Sequence, residues 1–202
     1  MTDRCVWVYR EMRSGGSWLC NFLSKNLHKK HIFLEHHSHL VHNIKPNDLH
    51  VKYIFSTHEV DYMKPVKEYI NPIVIHCSRR DRFEQMLSEF FMSATNQTVS
   101  NIHDTSDLDR FTTISNIKIT HVTKDIVLRW KEKQSNETNK WQSFSHELNV
   151  HTIYYEDFFA GAKIDDIDLV LKFDDETTKK LPSYKQSVFV NYEEIKDWFY
   201  SI

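Results

Sequence analysis

This chain is short of the residues that usually punctuate a fold: its 202 positions hold three glycines, four prolines and three cysteines. Cys5, Cys20 and Cys77 lack metal-ligand spacing and are too few for a disulfide framework, so buried, reduced thiols of a cytoplasmic protein are expected. No apolar run approaches the length of a membrane span. Asp3 and Arg4 precede an apolar stretch too short for a signal peptide. Charge of neither sign predominates, with 26 basic against 28 acidic residues and a net charge of −2. That balance argues against nucleic acid or a membrane surface as partner, and any anionic ligand must be met by local cations. Asn96-Gln97-Thr98 and Asn136-Glu137-Thr138 fit the glycosylation pattern, which carries no weight without a signal peptide. There is no repeat, low-complexity block or composition break, and 40% of the residues are hydrophobic. One domain spanning 1–202 is expected.

Against that scarcity, two of the three glycines stand side by side at Gly15 and Gly16. Cys5 to Tyr9 is a β-rich apolar run that predicts a buried strand. From Ser17 onward Trp18, Leu19, Phe22, Leu23 and Leu27 recur at helical spacing. The connecting loop, Arg10-Glu11-Met12-Arg13-Ser14-Gly15-Gly16, carries cations and small residues. A helix N-terminus offers N–H groups and partial positive charge, glycine admits close backbone approach, and Arg13 adds a planar donor fork. Anion binding is the reading this favours over a plain turn. It is not the nucleotide-kinase loop, because G-x-x-x-x-G-K-[ST] requires an earlier glycine and a lysine.

Further along, His36, His37, His39 and His42 crowd the stretch from His31 to His42. No cysteine accompanies them and the spacing does not match H-x-x-x-H on one helix face, so a polar, partly exposed segment is expected rather than a metal site. Asn43 to Asp48 reads as a loop. Val51 to Phe55 predicts a second strand ending in Ser56-Thr57-His58-Glu59, and strand ends are where open α/β sheets gather their ligands. Pro72 to Ser78 predicts a third strand. It leads into Arg79-Arg80-Asp81 and a helical run with Phe83, Met86, Leu87, Phe90 and Phe91. Ser88 lies eight positions after Arg80. An arginine at a strand end and a hydroxyl two turns along a helix can flank one phosphate, although Asp81 near an N-cap with solvated arginines explains the same residues.

Thr95 to Ser115 is polar and reads as a loop. Ile119 to Lys133 and Lys140 to Leu148 predict two helices. His151 to Tyr155 predicts a fourth strand, with Glu156 and Asp157 capping the next helix. Asp165 to Asp175 predicts an amphipathic helix, and the tail holds Lys185-Gln186-Ser187 and a last helix through Tyr192, Ile195, Trp198 and Phe199. Strands alternate with helices, so an α/β fold with a mainly parallel sheet flanked by helices is expected.

Four of these stretches, in order, resemble the sulfotransferases that use 3′-phosphoadenosine 5′-phosphosulfate (PAPS). Arg13-Ser14-Gly15-Gly16-Ser17-Trp18 resembles their 5′-phosphosulfate loop, with Arg13 where most soluble members have Lys. Thr57-His58 matches their Lys-Thr-His segment, with Ser56 replacing the Lys. Arg80 to Ser88 fits their 3′-phosphate pattern, and Tyr155-Glu156-Asp157 their Tyr-Glu-Asp-Leu. The resemblance implies a P-loop-like sulfotransferase core and sulfuryl transfer from PAPS to a hydroxyl or amine on a small-molecule or glycan acceptor. It makes His58 the general base and Arg13 a catalytic and donor-binding cation. It assigns Ser14, Gly15, Gly16, Ser17 and Trp18 to the 5′ end of the donor, and Arg80, Ser88 and Lys185 to the 3′-phosphate. Adenosine 3′,5′-bisphosphate would be the product, and no metal is implied. Trp18 would stack on adenine or pack against the sheet. Arg10 or Arg13 would replace the charge lost at Ser56. The rival readings are a non-catalytic nucleotide-binding module of the same fold and a kinase-like phosphotransferase, the latter disfavoured by the missing Lys-Ser/Thr pair.

Overall fold

A computed structural model describes residues 4–36, 53–69, 71–95, 117–172 and 185–201. Most of the polar stretch at 95–115, histidines 37, 39 and 42, the loop at 43–48 and residues 173–184 lie outside them. The chain divides into two compact units, Met1–Arg80 with Glu137–Lys172, and Asp81–Asn136 with Phe173–Ile202.

The first unit is built on a five-stranded parallel sheet of β1 (Val6–Arg10), β2 (Lys30–Phe33), β3 (Tyr53–Thr57), β4 (Ile73–Ser78) and β5 (Val150–Tyr154), in the order β2-β3-β1-β4-β5. Central parallel strands are covered on both faces, which is why Val-Trp-Val-Tyr-Arg and Ile-Val-Ile-His-Cys-Ser are buried along their whole length. Side chains alternate across β1. Trp7 and Tyr9 join Phe55, Val74, Met63, Val66 and Trp141 on one face, beneath a 3-10 segment at Val60–Glu68. The opposite face, with Arg10, receives helix α1 (Gly16–Leu27), which buries Leu19, Cys20, Leu23 and Leu27. β1 and β4 are neighbours, yet β1 leads to the edge strand β2 and β4 leads to the opposite edge strand β5. Such divergence opens a crevice at the carboxyl ends of the strands.

The second unit is helical. Helix α2 (Arg82–Thr95), part of α3 (Lys124–Ser145), α5 (Lys185–Val188) and α6 (Tyr192–Tyr200) surround Phe83, Met86, Phe91, Val127, Trp130, Phe189 and Ile195. Asp81 caps α2 with its side chain, its Oδ1 accepting the Glu84 N–H at 2.8 Å.

Several expectations need correction. The amphipathic helix expected at Asp165 to Asp175 is, as far as Leu171, a hairpin of β6 (Ala162–Ile164) and β7 (Leu169–Leu171) around a single 3-10 turn. Asp168 sits at φ 48 and Gly161 at φ 93, left-handed positions that Asp tolerates and Gly favours, and Ile164 and Leu171 are the buried side chains. The two helices expected over 119–148 are one, because no glycine or proline interrupts Lys133 to Lys140. Ile119 and Val122 precede it, and Ile119 bridges to Phe189. The first part of the histidine-rich stretch is β2, which buries Ile32. Glu156 does not cap the short helix α4 (Asp157–Ala160) with its side chain.

Trp7 is fully buried, 4.7 Å from the Phe55 ring and 5.3 Å from the Tyr69 ring. Trp7→Ala is expected to cost about 3–5 kcal/mol in urea-induced unfolding. An unchanged midpoint would mean this face is not the core of the sheet.

Candidate functional site

The carboxyl ends of β1, β2 and β3 bring Arg10, Phe33, Glu35 and His58 together beside the start of α1. β1 ends in Arg10, and the chain then runs through Glu11 to Gly15 before turning into the helix. The loop is held from within. Glu11 N–H donates to the Cys77 carbonyl at 3.0 Å, the Cys77 thiol donates to the Ser14 carbonyl at 3.2 Å, and Ser14 Oγ donates to the Glu11 carbonyl at 2.7 Å. Burial pushes the Cys77 thiol up to about 12, so it remains a donor. The Glu11 carboxylate meets His76 Nε2 at 3.1 Å.

Both glycines are required here. Gly15 lies at φ 79, and a Cβ on it would stand 2.6 Å from Tyr155. Gly16 is helical, but a Cβ there would stand 2.6 Å and 2.7 Å from the side-chain Cβ and Cδ of Arg10. Its bare backbone therefore makes room for that side chain. No side chain caps α1, and its first turn has no acid. Ser14 is buried and Ser17 exposed. Trp18 is half-buried, with ring centroids 5.0 Å from Phe22 on its own helix and 4.9 Å from Phe158. Arg13, at φ 58, lies close enough to Tyr155 to act on its hydroxyl electrostatically.

Arg10, rather than Arg13, is the deeply buried cation, only 5% exposed. Its Nη1 donates to Ser17 Oγ at 3.0 Å and its guanidinium lies 4.4 Å above the Phe33 ring. His58 is held at two points, its ring by a backbone carbonyl and its amide by a carboxylate. Its Nδ1 lies 2.6 Å from the Arg10 carbonyl, and its N–H donates to Glu35 Oε1, which also accepts from Thr57 Oγ1 at 2.8 Å. A carbonyl only accepts, so Nδ1 must carry the proton, and neutral His58 has its lone pair on Nε2. That is the tautomer a base requires.

Ser56 is fully buried, with its Oγ 2.6 Å from His31 Nε2. His31 in turn is lowered to about 4, by burial first and then by Arg10.

The residues expected to hold a 3′-phosphate are engaged elsewhere. Arg80 forms a two-point pair with Asp157, at 2.6 and 3.2 Å, and lies 4.2 Å over the Tyr154 ring. Glu156 Oε2 accepts the Arg80 N–H at 3.1 Å, while its Oε1 faces Arg79 at 3.8 Å. These are the uses of the two acids in place of capping. Ser88 and Lys185 belong to the other unit, where they do meet. Lys185 Nζ donates to Ser88 Oγ at 2.6 Å, Glu84 Oε2 at 2.6 Å and the Glu84 carbonyl at 2.9 Å. An ammonium has three donors, and all three are used.

Sequence reasoning passes over Glu35 and gives Arg10 only a substitute's role. A charged residue closing an otherwise apolar strand is the available signal for Arg10. Glu35 gives none. Among the described residues no group of three or more His, Cys, Asp or Glu could hold a metal ion, and no helix is long and apolar enough to cross a membrane. Comparisons with protein-family models, curated proteins and solved structures find no match for this chain.

His31 gives the site a pH signature. Its folded-state value lies below the usual histidine value, so the unfolded chain binds more protons between about 6.5 and about 4. The stability this contributes is present above that window and is lost as pH falls through it. His31→Gln, which retains a partner for Ser56, is expected to flatten the fall in melting temperature between pH 7 and pH 4. An equally steep fall in the variant would show that His31 titrates normally.

Proposed function

We propose that this chain is a PAPS-dependent sulfotransferase whose donor lies at the carboxyl end of β1, with His58 as general base. The observation that carries this reading is the hydrogen bond from His58 Nδ1 to the Arg10 carbonyl. It holds a base-competent imidazole beside a glycine loop and an uncapped helix N-terminus. The parallel sheet, with β1 and β4 diverging, supports a ligand at this end. A P-loop-like core and the order of the four motifs supply the rest of the proposal.

In the proposed step, His58 Nε2 takes the proton of the acceptor hydroxyl or amine as that atom attacks sulfur. The new O–S or N–S bond forms while the bond from sulfur to the bridging oxygen breaks. The released electron pair passes to the 5′-phosphate, leaving adenosine 3′,5′-bisphosphate. Arg13 and the N–H groups of the first turn would meet that growing charge, as positioning and electrostatics do in phosphoryl transfer. Arg80 would exchange Asp157 for the 3′-phosphate. A module that binds the nucleotide without turning it over is the second reading. It is favoured by Ser56, buried against His31 where the sulfotransferases carry Lys.

Single-turnover transfer from labelled PAPS to a panel of alcohols and amines tests the proposal. Wild type is expected to transfer. His58→Ala should lose about 10²–10⁴-fold in rate while binding adenosine 3′,5′-bisphosphate as before. Binding of the bisphosphate with no transfer to any acceptor would favour the module, and no binding at all would overturn both readings.

A further inference from the structure

The peptide unit joining Arg10 to Glu11 is the last rung of β1, and it is gripped from both sides. Its carbonyl accepts from His58 Nδ1 at 2.6 Å on the β3 side, and its N–H donates to the Cys77 carbonyl of β4 at 3.0 Å. A trans peptide points its C=O and N–H in opposite directions, so one plane serves both neighbours. While that plane stays in place, the proton of His58 is kept on Nδ1. Once it moves off, the proton is free to sit on Nε2, and the lone pair a base needs there is gone. Rungs at a strand end open most readily. This one leads into Arg13 at φ 58, a left-handed state that L-residues adopt only at a cost.

The plane is tied down by a side-chain pair that the proposed reaction leaves unused. Glu11 Oε1 accepts from His76 Nε2 at 3.1 Å, and the two side chains are 9% and 11% exposed. His76 lies on β4 directly before Cys77, so β4 holds Glu11 by side chain and by amide at successive residues. The imidazole itself is packed, 5.4 Å from the Tyr9 ring and 5.0 Å from the Trp141 ring. A carboxylate enclosed to this degree is costly to leave unpaired, so it stays where His76 stays. The pair spans β1 and β4, the two strands at which the sheet order diverges.

We propose that Glu11 and His76 are a positioning pair, which clamps the Arg10–Glu11 peptide to β4 and thereby fixes the tautomer of His58 on β3. That this tautomer serves sulfuryl transfer rests on the function proposed above; its control by the pair does not. Neither residue touches the reacting atoms. Both act through one peptide plane.

The full-length protein carrying isotope-labelled histidine is studied by long-range nitrogen–proton NMR, which tells the two neutral tautomers apart, with His58 assigned by its loss in His58→Ala. Wild type is expected to hold His58 protonated on Nδ1. His76→Phe keeps a ring beside Tyr9 and Trp141 but removes the donor. It is expected to populate the Nε2–H tautomer and to speed hydrogen exchange of the Glu11 amide about tenfold, the size of one net hydrogen bond. Glu11→Gln, which keeps an acceptor oxygen for His76, should match wild type on both measures. Glu11→Ala should match His76→Phe and carries the same test should that variant fail to fold. A wild-type His58 protonated on Nε2, or an unchanged His58 signature when the pair is broken, overturns the proposal. A purely structural pair would lower the melting temperature and leave the tautomer alone. In the transfer assay, His76→Phe should lose kcat with little change in KM for the acceptor, because the base is altered and the binding surface is not. A tautomer that answers to the pair in a protein that never turns over PAPS would keep this inference and remove the sulfotransferase reading. Transfer by wild type with a tautomer indifferent to the pair would do the reverse.

Discussion

Positive charge is concentrated where β1 hands over to α1, and the surrounding residues answer to it. The Arg10 guanidinium is enclosed at the helix start, with no acid in the first turn of α1 and no ion pair to a carboxylate among the described residues. Gly16 has no side chain because Arg10 occupies that space. Phe33 lies under the guanidinium, and His31 is held neutral by burial and by the same charge. An aromatic face and a serine hydroxyl touch the guanidinium, and neither neutralises it.

The backbone of the same residue does a second task. The Arg10 carbonyl accepts from His58 Nδ1, so one residue fixes the cation by its side chain and the imidazole tautomer by its main chain. β1 and β3 are paired in register, Tyr9 against Thr57, which sets Arg10 and His58 at matching strand ends. The imidazole and the guanidinium therefore keep their spacing as long as the sheet does. Glu35, from beyond β2, ties the Thr57 hydroxyl and the His58 amide, so three neighbouring strands contribute to a single arrangement.

Much of the sheet was readable because buried parallel strands are continuous apolar runs, and Val6 to Tyr9 and Ile73 to Ser78 have no other use. The loop was readable because glycine is rare in this chain and its two adjacent copies mark one place. The hairpin at 162–171 was misread because its three-residue strands are too short for period to be judged. Its turn depends on a left-handed Asp168 that no pattern announces. α3 was split in two because its middle is polar on every side, which period alone reads as a break. At the site, His58 was legible from its place at a strand end. The roles of Arg10, Glu35 and His31 were not, since each depends on a cross-strand neighbour 22 to 48 residues away. Arg80 and Lys185 show the converse. The spacing of Arg80 to Ser88 suggested phosphate and the resemblance added Lys185, while the folded chain gives each cation a carboxylate, Asp157 and Glu84.

A co-crystal structure with adenosine 3′,5′-bisphosphate tests the central claim most directly. The account predicts the 5′-phosphate within hydrogen-bond distance of the Ser17 and Trp18 amides, with His58 Nε2 facing the side of that phosphate where the sulfuryl group would stand. Nucleotide bound away from the β1–α1 loop, or bound there with His58 Nε2 turned away from it, would contradict it.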